Sequence, residues 1–344
     1  MTDCTRRKSL LSCSPYLSIV KQRLDILLSR IVRRKIGGLL VACPENVSYL
    51  CGYNISDSYL LVCPRESFLI TDFRYIEEAE KNIFGFSLKK RDGPLSEAVA
   101  AIVKKLRIRC LGFEAATLSF ALYQGLRRLL GRYSKLVPLD YPVEKLREIK
   151  SEKEIACIRS SARLAHRAMR LASKLIRPGA RERDICAEIN KFIRVAGAQG
   201  SAFEIIVAGG ARSSRPHALT GKSRIEAGQV TLVDLGVDLN GYKSDLTRVF
   251  FTGSVSPKTR KVLQVVRRAQ QQALEAIAPG VKISRVDKAA RDYIVGFGWG
   301  DNFGHSLGHG LGLNVHEAPA INSKNNRRLK AGMVFTVEPG VYFP

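Results

Sequence analysis

Long apolar runs and closely paired cysteines are both absent from this sequence. Among its 344 residues no apolar run approaches 18, which argues against a membrane-spanning helix. The eight cysteines form no Cys-x-x-Cys pair and are dispersed, several of them inside apolar runs such as residues 60–63. This distribution is typical of buried, reduced thiols in a cytoplasmic protein, and it argues against a thiolate zinc site.

Acidic residues are scarce. The sequence has 31 Asp and Glu against 56 Lys and Arg, which gives a net charge of +25 and a pI near 10.0. Such a charge can mark a nucleic-acid partner. However, the basic residues form short clusters scattered along the whole chain, without a helix-turn-helix, an RNA-binding strand motif or a basic-aromatic stripe. We therefore interpret the charge as a solvated basic surface.

The length of the chain predicts two domains. Alternating helical and strand patterns predict an α/β domain over residues 15–140. Two prolines between residues 134 and 150 break the periodicity and predict a domain boundary. A second domain is expected over residues 145–344, where Ser151-x-x-Glu154 has the pattern of a capping box that begins a long helix.

A predicted hairpin in the second domain carries two aspartates. Asn240-Gly241 separates two strand-like runs, and this dipeptide is a strong signal for a two-residue hairpin loop. With that loop, Asp234 lies opposite Thr247, and Asp234 and Asp245 are diagonal neighbours on one face. Two carboxylates so placed repel each other unless a cation lies between them, so we expect a metal there.

A histidine and a glutamate complete a candidate ligand set. Residues 304–312 contain four glycines, which excludes a stable helix, so His305 and His309 are not a helical zinc pair. Residues 331–340 have the pattern of a strand that ends in a turn at Glu338. Three carboxylates and one imidazole form an oxygen-rich set that suits divalent metals such as Mn²⁺.

Taken together, these motifs resemble a known family. Residues 145–343 are similar to the pita-bread metallopeptidases, in the branch of aminopeptidase P and proline dipeptidase (prolidase), and residues 15–140 resemble the creatinase-type N-terminal domain of that branch. The resemblance implies an α/β (α+β) fold with a pita-bread domain in second place. The matching segments, besides the hairpin, are Pro44-Glu-Asn-Val-Ser-Tyr-Leu-Cys-Gly-Tyr, Leu69-Ile-Thr-Asp-Phe-Arg-Tyr, Phe203-Glu-Ile-Ile-Val-Ala, Pro216-His-Ala, Gly308-His-Gly-Leu-Gly, Val315-His-Glu-Ala-Pro and Thr336-Val-Glu-Pro-Gly.

The resemblance also implies a site for two divalent metal ions, most often Mn²⁺, with Co²⁺ or Zn²⁺ as alternatives. Asp234 would bind one ion, Asp245 would bridge both, and His309 and Glu338 would bind the second. A metal-activated hydroxide would then attack the peptide carbonyl. Glu338 would in addition move a proton from this nucleophile to the leaving amine.

Three further histidines and one absent ligand follow from the same resemblance. His217 and His316 match catalytic and substrate-binding positions that stabilise the tetrahedral intermediate, and His305 matches a substrate-binding position on the proline side of the pocket. The family's fifth ligand is a bridging Glu in an Arg-x-Glu strand shortly after the Val-Glu-Pro-Gly turn. The sequence stops at Pro344, before that point, so we expect a weakened metal position and reduced activity.

The expected function is that of a cytoplasmic, metal-dependent exopeptidase that releases the N-terminal residue from peptides with proline in the second position. The sequence does not separate an Xaa-Pro dipeptidase from an Xaa-Pro aminopeptidase. The alternative is a non-catalytic or impaired pita-bread scaffold that binds a partner such as nucleic acid, and methionine aminopeptidase ranks third. Peptide substrates and a homodimer are the expected partners.

Overall fold

The computed structural model describes residues 15–343, which divide into two compact units between Arg147 and Glu148. In the first unit short strands alternate with helices. Its helices are α1 (Pro15–Arg33), α2 (Pro44–Cys51), α3 (Ile76–Asn82), α4 (Leu95–Lys105), α5 (Phe120–Leu130) and α6 (Glu144–Arg147). Its strands are β1 (Gly38–Val41), β2 (Tyr59–Val62), β3 (Phe68–Thr71), β4 (Ser87–Lys90), β5 (Cys110–Glu114) and β6 (Lys135–Leu139).

These six strands form one mixed sheet in the order β4-β3-β2-β1-β5-β6. β1 runs parallel to β5 and antiparallel to β2, and every residue of β1 and β3 is buried. Continuous burial means that both faces of these strands are covered. Val99 and Val103 of α4, which are one helical turn apart, and Leu126 of α5 join Leu40 and Leu111 in the apolar core.

The interval 134–150, predicted to contain a domain boundary, contains the division between the two units, but it also contains a strand that the sequence analysis did not predict. Residues 135–139 form β6, which pairs in parallel with β5 at the edge of the sheet. An edge strand needs hydrogen bonds on one side only, so Pro138 fits there without disrupting the sheet. The proline that suggested a boundary is therefore part of a strand.

The second unit contains four long helices and a set of short antiparallel strands. The helices are α7 (Glu152–Leu175), α8 (Glu182–Val195), α9 (Pro257–Glu275) and α10 (Ile283–Val295), with 3-10 turns at Gly210–Ser214 and Gly300–Asn302. The strands are β7 (Gly200–Ser201), β8 (Ile206–Gly209), β9 (Val230–Leu235), β10 (Val237–Leu239), β11 (Tyr242–Lys243), β12 (Leu246–Phe251), β13 (Gly308–Gly310) and β14 (Glu317–Ile321).

The second unit repeats one arrangement twice. α7 and α8 are joined through Pro178-Gly179, and α9 and α10 through Pro279-Gly280. In the first half the Gly179 N–H donates to a carbonyl of a later segment, and in the second half Gly280 does the same. One apolar core joins α7 and α8 to β9 and β10, and another joins α9 and α10 to the segments around β13 and β14. Each half therefore places a ribbon of extended chain on a helix pair.

α7 holds the predicted hairpin in place. Ser151 caps this helix, and the Glu154 carboxylate accepts the Ser151 N–H at 2.9 Å, as the capping box predicts. Glu154 also accepts the hydroxyl of Tyr242 at 3.2 Å, and Ser161 donates to Ser244 Oγ at 3.0 Å. The helix thus contacts the hairpin at two points along its length. No helix within residues 15–343 is both long and apolar enough to span a bilayer.

Candidate metal centre

The hairpin has the predicted register. Leu239 pairs with Tyr242, and Asp234 pairs with Thr247. Both loop residues have positive φ, 54° at Asn240 and 80° at Gly241, which explains why the Asn-Gly sequence occurs here. The prediction of this turn and of the residue that faces Asp234 is confirmed.

Each strand of the hairpin is interrupted once, whereas the sequence predicted two continuous strands. The interruptions fall at Gly236 and at Ser244–Asp245, and the ribbon passes there from one three-stranded sheet to another. The register is the same on both sides, so no residue is inserted. The Val237 N–H is accepted by Ser244 Oγ at 3.1 Å, so a side chain enters the ladder at this point. Asp245 therefore lies at the junction of the two sheets.

The two faces of the hairpin differ in polarity. Val233, Leu235 and Val237 are fully buried in the apolar core under the hairpin. Because side chains alternate along a strand, Asp234 points away from this core. Its Oδ1 accepts a hydrogen bond of 2.8 Å from Thr247 Oγ1, which orients the carboxylate.

His309 and Glu338 come from two extended segments that run side by side. The Thr336 N–H donates to the carbonyl of His309 at 2.9 Å, and the Glu338 N–H donates to the carbonyl of Leu307 at 2.9 Å. Residues 331–340 were predicted to form a strand, but the structure gives them only an isolated bridge at Phe335. The reason lies in Thr336, whose hydroxyl, instead of a backbone carbonyl, accepts the His309 N–H at 3.0 Å.

The close approach of these segments depends on a glycine. A Cβ atom at Gly308 would overlap the backbone carbonyl of Thr336. Only glycine lets the two backbones meet here without a shift of one of them. The glycine beside His309 therefore has a packing role that brings the histidine next to Glu338.

The centre of the site is formed by Asp245, His309 and Glu338. His309 Nε2 lies 3.0 Å from Glu338 Oε1 and 3.4 Å from Asp245 Oδ2. One ligand atom from each residue lies within 4.8 Å of the others, a spacing that can hold a metal ion. Asp234 lies outside this trio, but its carboxylate interacts electrostatically with those of Asp245 and Glu338.

The pKa values of the site residues indicate that the clustered carboxylates favour a positive charge beside them. Burial and the neighbouring Asp245 charge raise the pKa of Asp234 to about 6. Burial alone would lower the pKa of His309, but the hydrogen bonds to Asp245 and Glu338 outweigh it and raise this pKa to about 10. For Glu338 burial acts upward, and the hydrogen bonds from His309 and Thr336 nevertheless keep its pKa below the ordinary value.

These features fit a divalent metal. Without a metal, the raised pKa of His309 places a proton, and so a positive charge, on the ring between the carboxylates. Binding of a metal ion to His309 requires the loss of that proton, and the ion then supplies the positive charge. Three carboxylate side chains and one imidazole supply the oxygen and nitrogen donors that Mn²⁺, Co²⁺ and Zn²⁺ accept. The side chains of Asp245 and His309 are 10% and 17% exposed, while Glu338 is 35% exposed and so remains accessible from one side.

Of the other predicted histidines, His316 and His305 lie beside this centre. The ring of His316 is 4.2 Å from that of His309, and burial, followed by the His309 charge, lowers the pKa of His316. The ring of His305 packs between Phe303 at 5.0 Å and Tyr342 at 5.6 Å. These distances join ring centroids.

His217 approaches the site from a different element. It lies on the loop after β8 and is exposed, and it interacts electrostatically with Asp234 and His316. The structure thus brings all seven predicted side chains into one region. Their individual roles remain predictions.

Three neighbouring residues were missed by the sequence reasoning. Thr247 and Thr336 orient the carboxylates of Asp234 and Glu338, and Tyr342 packs on His305. Burial, followed by the negative charges of Glu338 and Asp234, raises the pKa of Tyr342. The hairpin register already placed Thr247 opposite Asp234, so that signal was present, whereas no sequence pattern pointed to Tyr342.

Comparison with known proteins identifies the class. Residues 156–344 match the model of metallopeptidase family M24, and residues 23–149 match the creatinase/prolidase N-terminal domain. The chain belongs to this metallopeptidase family, which confirms the family and the fold class predicted from the sequence. An uncharacterised peptidase of Bacillus subtilis is 37% identical over 90% of this chain and 87% of that protein. The Xaa-Pro dipeptidase of Pyrococcus furiosus is 34% identical over 94% of this chain and 92% of its own length.

Solved structures of peptidases are similar to this chain over most of its length. An Xaa-Pro dipeptidase from Bacillus anthracis superimposes with a TM-score of 0.91 at 35% identity, over 94% of this chain and 91% of that chain. The prolidase from Pyrococcus horikoshii OT3 gives a TM-score of 0.88 at 31% identity over the same shares of the two chains. The chain is therefore an enzyme of the metallopeptidase class by fold and by family.

Proposed function

We propose that the chain is an exopeptidase that removes the N-terminal residue from peptides with proline in the second position. One observation supports this most strongly: His309 Nε2 lies between Asp245 Oδ2 and Glu338 Oε1, at 3.4 and 3.0 Å. The names of the relatives, Xaa-Pro dipeptidase and prolidase, support peptides with proline in the second position as the substrates.

Asp234, Asp245, His309 and Glu338 would hold two divalent metal ions, with Mn²⁺ as the first choice and Co²⁺ or Zn²⁺ as alternatives. When bound, such ions polarise the peptide carbonyl and lower the pKa of water to near neutrality. The donor types and the mutual repulsion of the carboxylates support this assignment.

Glu338 would also move the proton. Its Oε1 accepts from Thr336 Oγ1 at 2.7 Å and lies 3.0 Å from His309 Nε2. These contacts point to Oε2 as the oxygen that takes a proton from the attacking water and gives it to the leaving amine. The lowered pKa keeps the carboxylate ionised, and its 35% exposure lets it reach a substrate.

His316 and His217 would contact the substrate backbone. A lowered pKa keeps His316 neutral near pH 7, so its ring N–H can donate a hydrogen bond to the oxygen that becomes negative during attack. His217 approaches from the loop after β8 and interacts with both Asp234 and His316. The two rings would thus hold the scissile carbonyl over the carboxylate cluster.

His305 would lie on the proline side of the pocket. Its ring packs edge-on against Phe303 and Tyr342, which forms an aromatic wall next to the Glu338 segment. A pyrrolidine ring is apolar and lacks a backbone N–H, so a wall of aromatic side chains suits it. The aromatic wall therefore favours binding of proline over binding of a residue with a polar side chain.

The test is hydrolysis by metal-stripped protein to which Mn²⁺, Co²⁺ or Zn²⁺ is returned. Substrates are an Xaa-Pro dipeptide, a longer Xaa-Pro peptide, the matching Xaa-Ala peptides and a Met-Ala peptide. We expect metal-dependent cleavage of the Xaa-Pro substrates and a loss of about 100-fold or more in Asp245→Asn. Asp238→Asn is the matched control, because Asp238 lies on the same hairpin but pairs with Lys243 at 2.6 Å.

Metal-dependent cleavage of the Xaa-Pro substrates supports the proposal, and preference for Met-Ala would favour methionine aminopeptidase. Absence of cleavage, together with salt-sensitive nucleic-acid binding by the highly basic chain, would favour the non-catalytic alternative.

We also propose a cytoplasmic location. The six cysteines within residues 15–343 are all free, which supports a reducing compartment. Fractionation of the source cells with an antibody to the chain tests this, and recovery in an extracytoplasmic fraction would contradict it.

A further inference from the structure

His217 depends on a long loop for its position. Residues 210–223, here named the His217 loop, follow β8 and contain a 3-10 turn at Gly210–Ser214 and otherwise irregular backbone. His217 itself is exposed, so packing around its ring contributes little to holding it. The loop backbone must therefore fix where the imidazole lies.

A single buried carboxylate closes this loop. Glu182, the first residue of α8, is 1% exposed. Its Oε1 accepts the Gly209 N–H at 2.8 Å, just before the loop, and its Oε2 accepts the Gly221 N–H at 3.0 Å, near the loop's end. Hydrogen bonds to a charged acceptor are stronger than neutral ones, so Glu182 holds the two ends together.

Arg212 extends the closure to the interior of the loop. Its guanidinium donates to Glu182 Oε2 at 2.5 Å and to Ser223 Oγ at 3.1 Å. The other terminal nitrogen donates to the carbonyl oxygen of Leu219, two residues after His217. The planar Arg212 guanidinium thereby connects three parts of the loop, and its charge neutralises the buried Glu182 carboxylate.

We propose that Glu182 and Arg212 are positioning residues that fix His217 relative to Asp234 and His316. This inference rests on the proposed function, in which His217 contacts the substrate. Neither residue is among the ligands, so they act on catalysis only through the loop. A lysine at position 212 keeps the positive charge but cannot form the three hydrogen bonds in their fixed directions.

A double-mutant cycle tests this with kcat and KM measured for an Xaa-Pro peptide in the wild type, Arg212→Lys, His217→Ala and the double variant. We expect Arg212→Lys to lower kcat/KM about 10- to 100-fold, since small displacements of a substrate-positioning group have effects of that size. When His217 is already alanine, Arg212→Lys should change kcat/KM by no more than about twofold, because Arg212 acts on catalysis through His217. Mn²⁺ affinity should be unchanged.

Arg224→Lys is the matched control. Arg224 lies next to the loop, and its guanidinium donates to the carbonyl of Gly179 at 2.7 Å. It should keep kcat/KM within about twofold of the wild type. If Arg212→Lys fails to fold, as judged by Trp299 fluorescence, Ser223→Ala removes only one of the Arg212 hydrogen bonds and replaces it in the cycle.

An NMR measurement separates failure of this inference from failure of the proposed function. The ring signals of His217 are assigned by their absence in His217→Ala, and those of His166 on α7 serve as reference. Arg212→Lys should shift or broaden the His217 signals and leave those of His166 unchanged, whether or not the chain cleaves peptides. Unchanged His217 signals, or equal losses of kcat/KM in both backgrounds of the cycle, would overturn the proposal.

Discussion

A buried ion pair next to His316 allows a quantitative prediction. Lys150 Nζ lies 2.7 Å from Glu317 Oε1, and the two side chains are 2% and 6% exposed. The Lys150 backbone N–H also donates to the carbonyl of Gly332 at 2.8 Å. Lys150 therefore contacts both the segment that carries His316 and the one that leads to Glu338.

Replacing Lys150 by methionine keeps most of the side-chain volume and removes the charge. The buried Glu317 carboxylate then loses its ion pair with Lys150, and loss of one partner of a buried pair costs about 3–5 kcal/mol. With a urea m-value of about 2 kcal/mol per molar for a unit of this size, the unfolding midpoint should fall by about 1.5–2.5 M. Coulomb attraction alone would not have this size at the surface, because solvent screens it.

The assay is urea unfolding at pH 7 followed by tryptophan fluorescence. Trp299 is the only tryptophan of the chain and lies in the second unit, where it packs on Phe297 and Phe343, so its signal reports this unit. Lys288→Met is the matched control, because the Lys288–Asp292 pair has the same 2.7 Å separation but is 71% and 58% exposed. That variant should change stability by about 0.5 kcal/mol or less.

A second variant tests the cause. Lys150→Met combined with Glu317→Leu removes both charged groups of the pair and should recover most of the lost stability, since apolar replacements of buried ion pairs are often neutral. Equal midpoints for Lys150→Met and Lys288→Met would refute the reasoning, because burial would then make no difference to the two pairs.

Two further predictions concern close packing and thiol chemistry. Gly308→Ala should lower kcat/KM about 100-fold or more, because the new Cβ would push apart the segments that carry His309 and Glu338. Gly304→Ala is the control and should keep the wild-type kcat/KM, because no atom lies within 4 Å of the Cβ position at Gly304. Equal values of kcat/KM for the two variants would contradict this prediction. Burial raises the pKa of the Cys43 and Cys63 thiols to about 12, so at pH 8 fewer than about one in a thousand is a thiolate. Peptide mapping after iodoacetamide treatment should find both unlabelled in the native protein and labelled in guanidinium, and native labelling as fast as that of the partly exposed Cys110 would count against the structure.

The hairpin shows what a local pattern can predict. Asn240 and Gly241 need positive φ, which fixes a two-residue loop, and the loop fixes every pair of facing residues. The position of Thr247 opposite Asp234 followed from this alone. The face that carries the ligands followed in the same way, because Val233 and Leu235 had to be buried.

Other parts of the site depend on contacts that a local pattern does not contain. The Thr336 hydroxyl takes a backbone N–H that a regular strand would give to a carbonyl, so residues 331–340 looked like an ordinary strand. Glu182 and Arg212 are 30 residues apart in sequence, and nothing in either local context predicts that they meet. Similarly, β6 was not predicted because it contains Pro138, and the sequence does not reveal which strand lies at a sheet edge, where a proline is tolerated.

Mn²⁺ binding to metal-stripped protein tests whether Asp234, Asp245, His309 and Glu338 form one cation site. Titration followed by electron paramagnetic resonance gives the free Mn²⁺ at each point, without any need for activity. We predict saturable binding that weakens about 10- to 100-fold or more in Asp245→Asn and in His309→Ala, and that is retained in Asp238→Asn. Equal binding by the wild type and by Asp245→Asn, or no binding by the wild type, would show that these side chains do not form one cation site.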